Sequence, residues 1–305
     1  MFNFANKKID LSMERKTNMK LGTRLIVLLC FMGAGLIIAS VAAIILPHLH
    51  LGDGLLTMLI IQDFFAFILP AVAAMAYFYK RPHHAMCLDR APSWTAIVVV
   101  IAFFIISLPA MNWLVSVNES MSLPSWMSGI EQWMRLSEDE AADVTKELLD
   151  IQSIVGLIAC VFVVGFMAGL SEEMLFRGAM LRTMQDSRLG THATVWIVAI
   201  VFSAIHLQFY GFIPRMVLGL WLGYLLVWTG SLWVPIIAHT LNNSAVVVFS
   251  YLSNVGILPE GYGDNLGLPA DGGLPWLALA SLIASIALAV WTQRHFMGKT
   301  EKNAD

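Results

Sequence analysis

Residues 151–170 carry no charge, and shortly after them stand Glu172, Glu173 and Arg177, with apolar residues resuming as far as Met184. About 20 apolar residues suffice for a helix to cross the hydrocarbon core of a bilayer. Near the bilayer centre each charged residue costs about 2.5–3.5 kcal/mol on insertion scales, so three cost on the order of 8–10 kcal/mol before any pairing. Intramembrane charges normally face a bundle interior or a water-filled cavity and mark a functional site. The stretch therefore predicts a helix buried among other helices. A solvated helix end at the membrane surface is the plainer alternative.

Helical geometry separates the two carboxylates. Neighbouring side chains point in different directions, whereas i and i+4 share a face. Glu173 and Arg177 are i, i+4 with the acid first, the better order for an ion pair. Glu172 faces elsewhere. The spacing predicts a structural Glu173–Arg177 pair and leaves Glu172 free for chemistry.

The rest of the chain agrees with a membrane setting. Of 305 residues, 58% are hydrophobic and 13% charged, against about 25% charged in soluble domains. Apolar runs predict spans at 25–46, 55–79, 94–117, 151–184, 192–207, 213–228, 232–251 and 274–291. The predicted fold class is an all-α membrane protein of about eight transmembrane helices. Asp63 interrupts the second span and is read as interfacial or buried, without a role. Between spans three and four, residues 118–150 hold eight acids and only Arg135 and Lys146 as bases. Trp126, Ile130, Trp133, Ala141, Val144 and Leu148 recur there at helical spacing. Ser137 and Glu140 fit a capping box. One or two amphipathic surface helices are predicted, with tryptophans at the interface.

Four regions follow: a basic segment at 1–24; helices and the amphipathic segment at 25–150; helices carrying the polar motifs at 151–251; and a loop, last helix and polar tail at 252–305. Cys30, Cys87 and Cys160 are scattered without a CxxC pair, which argues against a disulfide framework or a zinc knuckle. No basic patch points to nucleic acid. Gly165/Gly169 and Gly219/Gly223 form GxxxG pairs, a signature of close helix packing.

Eight spans place both termini on one side, and charge supports this. Lys7, Lys8, Arg15, Lys16, Lys20, Arg24, Lys80, Arg81, Arg90, Arg182, Arg188, Arg294, Lys299 and Lys302 fall on that side, and only Arg135, Lys146 and Arg215 on the other. The positive-inside rule assigns the richer side to the cytoplasm. A multi-pass protein of the bacterial inner membrane, with both termini cytoplasmic, is expected.

Further polar residues lie in the apolar runs. His206 closes Phe202-Ser203-Ala204-Ile205-His206, and His239 and Asn243 are i, i+4 in His239-Thr240-Leu241-Asn242-Asn243. At about 1.5 Å per residue, Glu172, His206, His239 and Asn243 all lie roughly 10–20 Å from the cytoplasmic ends of their spans. Taken singly, each histidine fits a satisfied core residue. Together, three helices place polar groups in one layer, and a cavity open to the cytoplasm is expected there.

Glu-Glu-x-x-x-Arg at 172–177, Phe-x-x-x-His at 202–206 and His-x-x-x-Asn at 239–243 resemble, in that order, the CPBP family of CAAX proteases and bacteriocin-processing enzymes, also called Abi proteins. The family includes the Ras-converting CAAX endopeptidase. The resemblance covers roughly residues 150–250. It implies an intramembrane endopeptidase in which Glu172 activates water with help from His206, while His239 and Asn243 stabilise the oxyanion or orient the carbonyl. Glu173, Arg177 and Phe202 would support the site. The family is often labelled metalloprotease, so a divalent metal such as zinc, held by Glu172, His206 and His239, is one option, and a metal-free glutamate protease is the other. The implied partners are the lipid bilayer and a membrane-anchored or lipidated peptide or protein substrate. A non-catalytic membrane scaffold or chaperone and a transporter are the alternatives. Only the last would show repeated halves, which the sequence lacks.

Overall fold

The computed structural model describes residues 15–48, 54–187, 189–269 and 273–302. Lys7, Lys8 and Arg188, which enter the charge asymmetry, lie outside the described residues. The described chain is α-helical, and its extended pairing among those residues is one isolated bridge between Arg15 and Tyr79.

Among the described residues, six segments are long and apolar enough to cross a membrane: Leu21–Leu46, Leu55–Phe78, Trp94–Glu119, Ile154–Gln185, Phe209–Thr229 and Trp276–Gly298. The protein is an integral membrane protein. We label the helices α1 (Leu21–His48), α2 (Leu55–Phe78), α3 (Trp94–Glu119), α4 (Ser128–Leu149), α5 (Ile154–Gln185), α6 (Thr191–Ala204), α7 (Phe212–Thr229), α8 (Trp233–Asn254) and α9 (Trp276–Lys302). The two remaining expected spans are therefore present, as α6 and α8. α6 has 14 residues, roughly 21 Å at the helical rise, which is short of the ~30 Å hydrocarbon core. α8 has 22 residues but is diluted by His239, Thr240, Asn242, Asn243 and Ser244.

Local chemistry sets several helix ends. Ser93 Oγ accepts from Ala96 N at 3.2 Å to cap α3, and Ser153 Oγ accepts from Gly156 N at 3.1 Å to cap α5. Such caps satisfy N–H groups that a helix start leaves orphaned. α7 stops at Gly230, whose φ of 68° is the left-handed conformation glycine adopts without strain. The capping box expected at Ser137 does not form. α4 runs through it unbroken, and Ser137 Oγ donates back to Trp133 O at 3.1 Å. Both choices satisfy the hydroxyl, and the continuous helix keeps its backbone hydrogen bonds as well.

The bundle has two distinct ends. At one, Asp186 accepts from Arg15 Nε at 2.6 Å, Arg24 Nη1 at 2.8 Å and the Tyr79 hydroxyl at 3.0 Å. This ties the start of α1 and the end of α2 to the end of α5. Burial alone would raise the Asp186 carboxyl pKa, but hydrogen bonds from Arg15 and Arg24 prevail and hold it below its usual value. Leu232 N donates to Cys87 O at 3.0 Å at the same end. At the other end, Asn118 donates to Phe209 O at 3.2 Å, Asn112 to Gly263 O at 2.7 Å, and Asn254 to Leu149 O at 2.7 Å. We call these the Asp186 end and the α4 end. α9 runs antiparallel to α3, with Ser281 bonded to Ile106 O and Ala110 N and Phe296 packed against the cluster that holds Ala96 and Val99, so α1 begins and α9 finishes at the Asp186 end, as an even number of crossings requires.

Lipid offers helices no hydrophobic drive to associate, so small residues and hydrogen bonds carry the packing. Both GxxxG pairs do this. A Cβ at Gly169 would stand 2.9 Å from Thr240 Oγ1 and 3.0 Å from Thr240 N, and one at Gly165 would overlap Ser244 Oγ. Glycine thus lets the backbone of α5 lie against α8. Gly219 and Gly223 do the same for α7 against Ala199 and Val195 of α6.

Candidate active site

Three helices bring the motif residues together, and α5 supplies most of the charge. Its hydrogen bonding is not uniform. Val161–Met167 and Met174–Leu181 form wider π-helical turns on either side of Ala168–Glu173. Such turns are rare and concentrate at functional sites. Asp63–Ile68 in α2 is a third.

The expected Glu173–Arg177 pair forms despite the wider turn between them. Arg177 Nη1 donates to Glu173 Oε1 at 2.7 Å, and both side chains are fully buried. Arg177 Nη2 donates to Gly219 O at 2.9 Å, and its guanidinium carbon lies 4.6 Å from the centre of the Phe202 ring. The pair is thereby locked to α7 by a hydrogen bond and to α6 by a cation–π contact. Glu173 Oε1 also accepts from His239 Nδ1 at 2.9 Å, which links α8 to the pair.

That last bond sets the tautomer of His239. A carboxylate can only accept, so the proton sits on Nδ1 and Nε2 is the ring's other face. Nε2 stands 3.8 Å from Glu172 Oε2, too far for a direct hydrogen bond and within reach of one bridging group. His206 follows the same pattern. Its Nδ1 donates to Phe202 O at 2.7 Å, which again leaves Nε2 as the outward nitrogen. The Phe202 ring centre lies 5.1 Å from that of His206 and 5.9 Å from that of His239, so one phenyl group spaces both imidazoles. Asn243 Nδ2 donates to Val164 O at 3.2 Å and its Oδ1 accepts from Asn242 at 3.3 Å.

Glu172, Phe202, His206, His239 and Asn243 all line one cavity of about 1270 Å³. Glu172 is the more exposed of the adjacent acids, at 18% against 0% for Glu173. The spacing-based division of the two carboxylates therefore agrees with their surroundings.

The structure departs from the sequence-based expectation in four places. His206 is not within a helix. α6 ends at Ala204, and the chain turns sharply at Leu207 with φ of 54°, a conformation uncommon for leucine. The early end of α6 leaves room for the cavity. Asp63, expected to have no role, is 7% exposed and its Oδ1 accepts from Ser171 Oγ at 2.9 Å, one residue before Glu172. Arg215, counted only as a base on the side opposite the cytoplasm, lines the cavity from the first turn of α7 and is held by Gln208. No periodicity in the sequence marks either residue as a neighbour of the site. Lastly, the cavity does not open at the Asp186 end. Its outer lining comes from residues 143–150 and 260–264, both at the α4 end. Depth along the helices locates the polar layer but does not tell which way the space around it widens.

Among the described residues no group of three His, Cys, Asp or Glu side chains stands close enough to hold a metal ion, so Glu172, His206 and His239 are not drawn together as a three-donor set. His206 and His239 are each engaged at Nδ1 and keep Nε2 free.

Comparison with known proteins agrees with the motifs. Residues 154–245 match the family described as type II CAAX prenyl endopeptidase Rce1-like, a range that contains every motif position. The resemblance to the CAAX protease family is borne out over this stretch. The chain is also 28% identical over 114 residues to a Bacillus subtilis (strain 168) protein named uncharacterized protein YpbD, covering 36% of this chain and 53% of that protein. The chain thus spans about half the length of that relative. No solved structure matches at a significant level.

Proposed function

From the similarity of residues 154–245 to the Rce1-like CAAX endopeptidases, we propose that the protein is an intramembrane endopeptidase acting on a membrane-anchored or lipidated substrate. The observation that carries this reading is the facing of Glu172 Oε2 and His239 Nε2 across 3.8 Å on the cavity wall. Oε2 is shielded and accepts no hydrogen bond, so this carboxylate keeps an unfilled acceptor beside His239.

Amide hydrolysis needs a water activated by a base and donors for the oxyanion that develops on the carbonyl. In this reading Glu172 removes the proton from water in the cavity. It later returns it to the leaving amine, as a general base that becomes the general acid. His206 Nε2 assists at the water. His239, oriented by Glu173 and carrying a second proton on Nε2, and the remaining N–H of Asn243 hold the scissile carbonyl. Glu173, Arg177 and Phe202 touch no substrate and position these groups.

The test is comparative mass spectrometry of peptide termini in cells carrying wild-type protein or Glu172→Gln. New termini present only with the wild type support an endopeptidase. Identical sets of termini favour the scaffold reading and reject this one.

Orientation is part of the proposal. The bases cluster at the Asp186 end, so that end faces the cytoplasm, and the cavity mouth faces the opposite side. In a cysteine-free background, Glu140→Cys will react with an impermeant maleimide in intact cells and Lys80→Cys only after permeabilisation. The reverse pattern rejects this orientation.

A further inference from the structure

The charge lining the cavity is far from that of the chain. The whole sequence has 21 acids and 18 bases, nearly balanced. The cavity is lined by six acids and two bases, Lys146 and Arg215. One acid is Glu172. The other five, Asp143, Glu147, Asp150, Glu260 and Asp264, come from the C-terminal part of α4 with the residue after it, and from the loop between α8 and α9. None of the five forms an ion pair among the described residues, and Asp150 accepts only the neutral Gln152 amide at 2.9 Å. All five are exposed. By contrast, two acids on the earlier part of α4, Glu131 and Glu138, are engaged. Glu131 pairs with Arg135 at 2.7 Å, and Glu138 accepts from Tyr210 N at 3.2 Å. α4 thus uses its first acids for docking and presents its last ones to the cavity.

A cleft lined by one sign of charge between low-dielectric walls focuses its field and concentrates counter-charged ligands. The walls here qualify. Phe104, Leu108, Met111, Val115, Leu218 and Phe249 make up much of the remaining lining. The cavity is large enough for several residues of extended chain, and it leads from the acidic mouth to Glu172 and His239.

We infer that this cavity selects a cationic peptide segment, rich in lysine or arginine, drawn in as extended chain from the α4 end. The inference deepens the endopeptidase reading and rests on it for cleavage, whereas binding follows from the cavity itself. The basic side chains lie along Glu147, Asp143 and the 260–264 loop, and the apolar wall takes the residues between them. An acidic segment meets uncompensated carboxylates at the mouth and is turned away.

Binding can be measured apart from turnover. Full-length Glu172→Gln protein in zwitterionic nanodiscs is titrated against fluorescent decapeptides of equal length, one lysine-rich and one glutamate-rich. The lysine-rich peptide will bind at least ~10-fold more tightly. The preference will shrink when salt rises from 0.1 to 1 M and the screening length falls from about 10 to about 3 Å. Glu147→Lys/Glu260→Lys/Asp264→Lys will abolish it. These positions are exposed, so the triple variant keeps its fold, and Glu147→Gln/Glu260→Gln/Asp264→Asn provides a milder step in the same direction. Equal binding of the two peptides overturns the inference. So does a preference that survives both triple variants, or one matched by empty nanodiscs. Displacement of the lysine-rich peptide by micromolar calcium would assign the acids to a cation site instead. Tight binding of a peptide that wild-type protein never cuts would reject the endopeptidase reading and leave this one standing.

Discussion

Glu172→Gln will leave the bundle folded and lower peptide hydrolysis by about 10³-fold, within the 10²–10⁴ range expected for a positioned general base. The amide keeps the size of the carboxylate but cannot take a proton from water. Little stability is at stake, because Glu172 is partly exposed to the cavity and its Oε2 has no partner to lose. Its melting temperature should stay near that of the wild type, as for substitutions that break no buried interaction. Purified protein assayed on a substrate from the terminus comparison gives the rate, and melting followed by size-exclusion chromatography gives the stability. A variant that retains more than about a tenth of wild-type turnover removes Glu172 from the role of base. The matching substitution Glu173→Gln must behave differently, since Glu173 holds both Arg177 and His239.

Arg177→Met will destabilise the protein by about 3–5 kcal/mol, the cost of removing one member of a buried ion pair, with Glu173 left to its hydrogen bond from His239. The methionine fills similar volume but abandons a fully buried carboxylate, the Gly219 carbonyl and the Phe202 ring. The double variant Glu173→Gln/Arg177→Met should recover part of the loss, because no buried charge is then stranded. That comparison separates a structural pair from a catalytic arginine. Buried pairs replaced together by apolar or neutral groups are often close to neutral, whereas single removals are severe. Melting temperatures of the three variants test it. If Arg177→Met melts with the wild type, the pair does not hold α5, α6 and α7 together as described.

Much of the fold and of the site is legible in the sequence, and the reasons are physical. Helix count follows from runs of apolar residues, since the thickness of a bilayer fixes how long each must be. The different surroundings of Glu172 and Glu173 follow from the helical period, even with the π-helical turn at Met174–Leu181. The GxxxG pairs identify contacts because only glycine permits such backbone approach. What the sequence does not convey depends on partners distant in the chain. Asp63 meets Ser171 across 108 positions, and nothing in the local pattern of α2 announces it. Arg215 looks like any interfacial base until the turn after α6 brings Gln208 beside it. The direction of the cavity is hidden because depth along a helix is a local quantity. Where space opens is decided by an element ending early, and α6 ends at Ala204.

The contact between α5 and α8 through Gly165 and Gly169 has a mechanical corollary. Long interlocking side chains can change rotamer and let two helices slide or breathe, but here backbone lies against Thr240 and Ser244 with no such cushion. His239 and Asn243 therefore ride on a stiff joint, and their spacing from Glu172 and Glu173 cannot be adjusted without shifting α8 as a whole. Any change in the width of the cavity must therefore come from another part. α4 is suited to it, having no buried residue along its entire length and a hold on the bundle made by contacts of Glu131, Trp133 and Glu138 to residues 209–210 and of Leu149 O to Ser250 and Asn254. The cavity thus has one stiff wall, where α5 lies against α8, and one loosely held wall, α4.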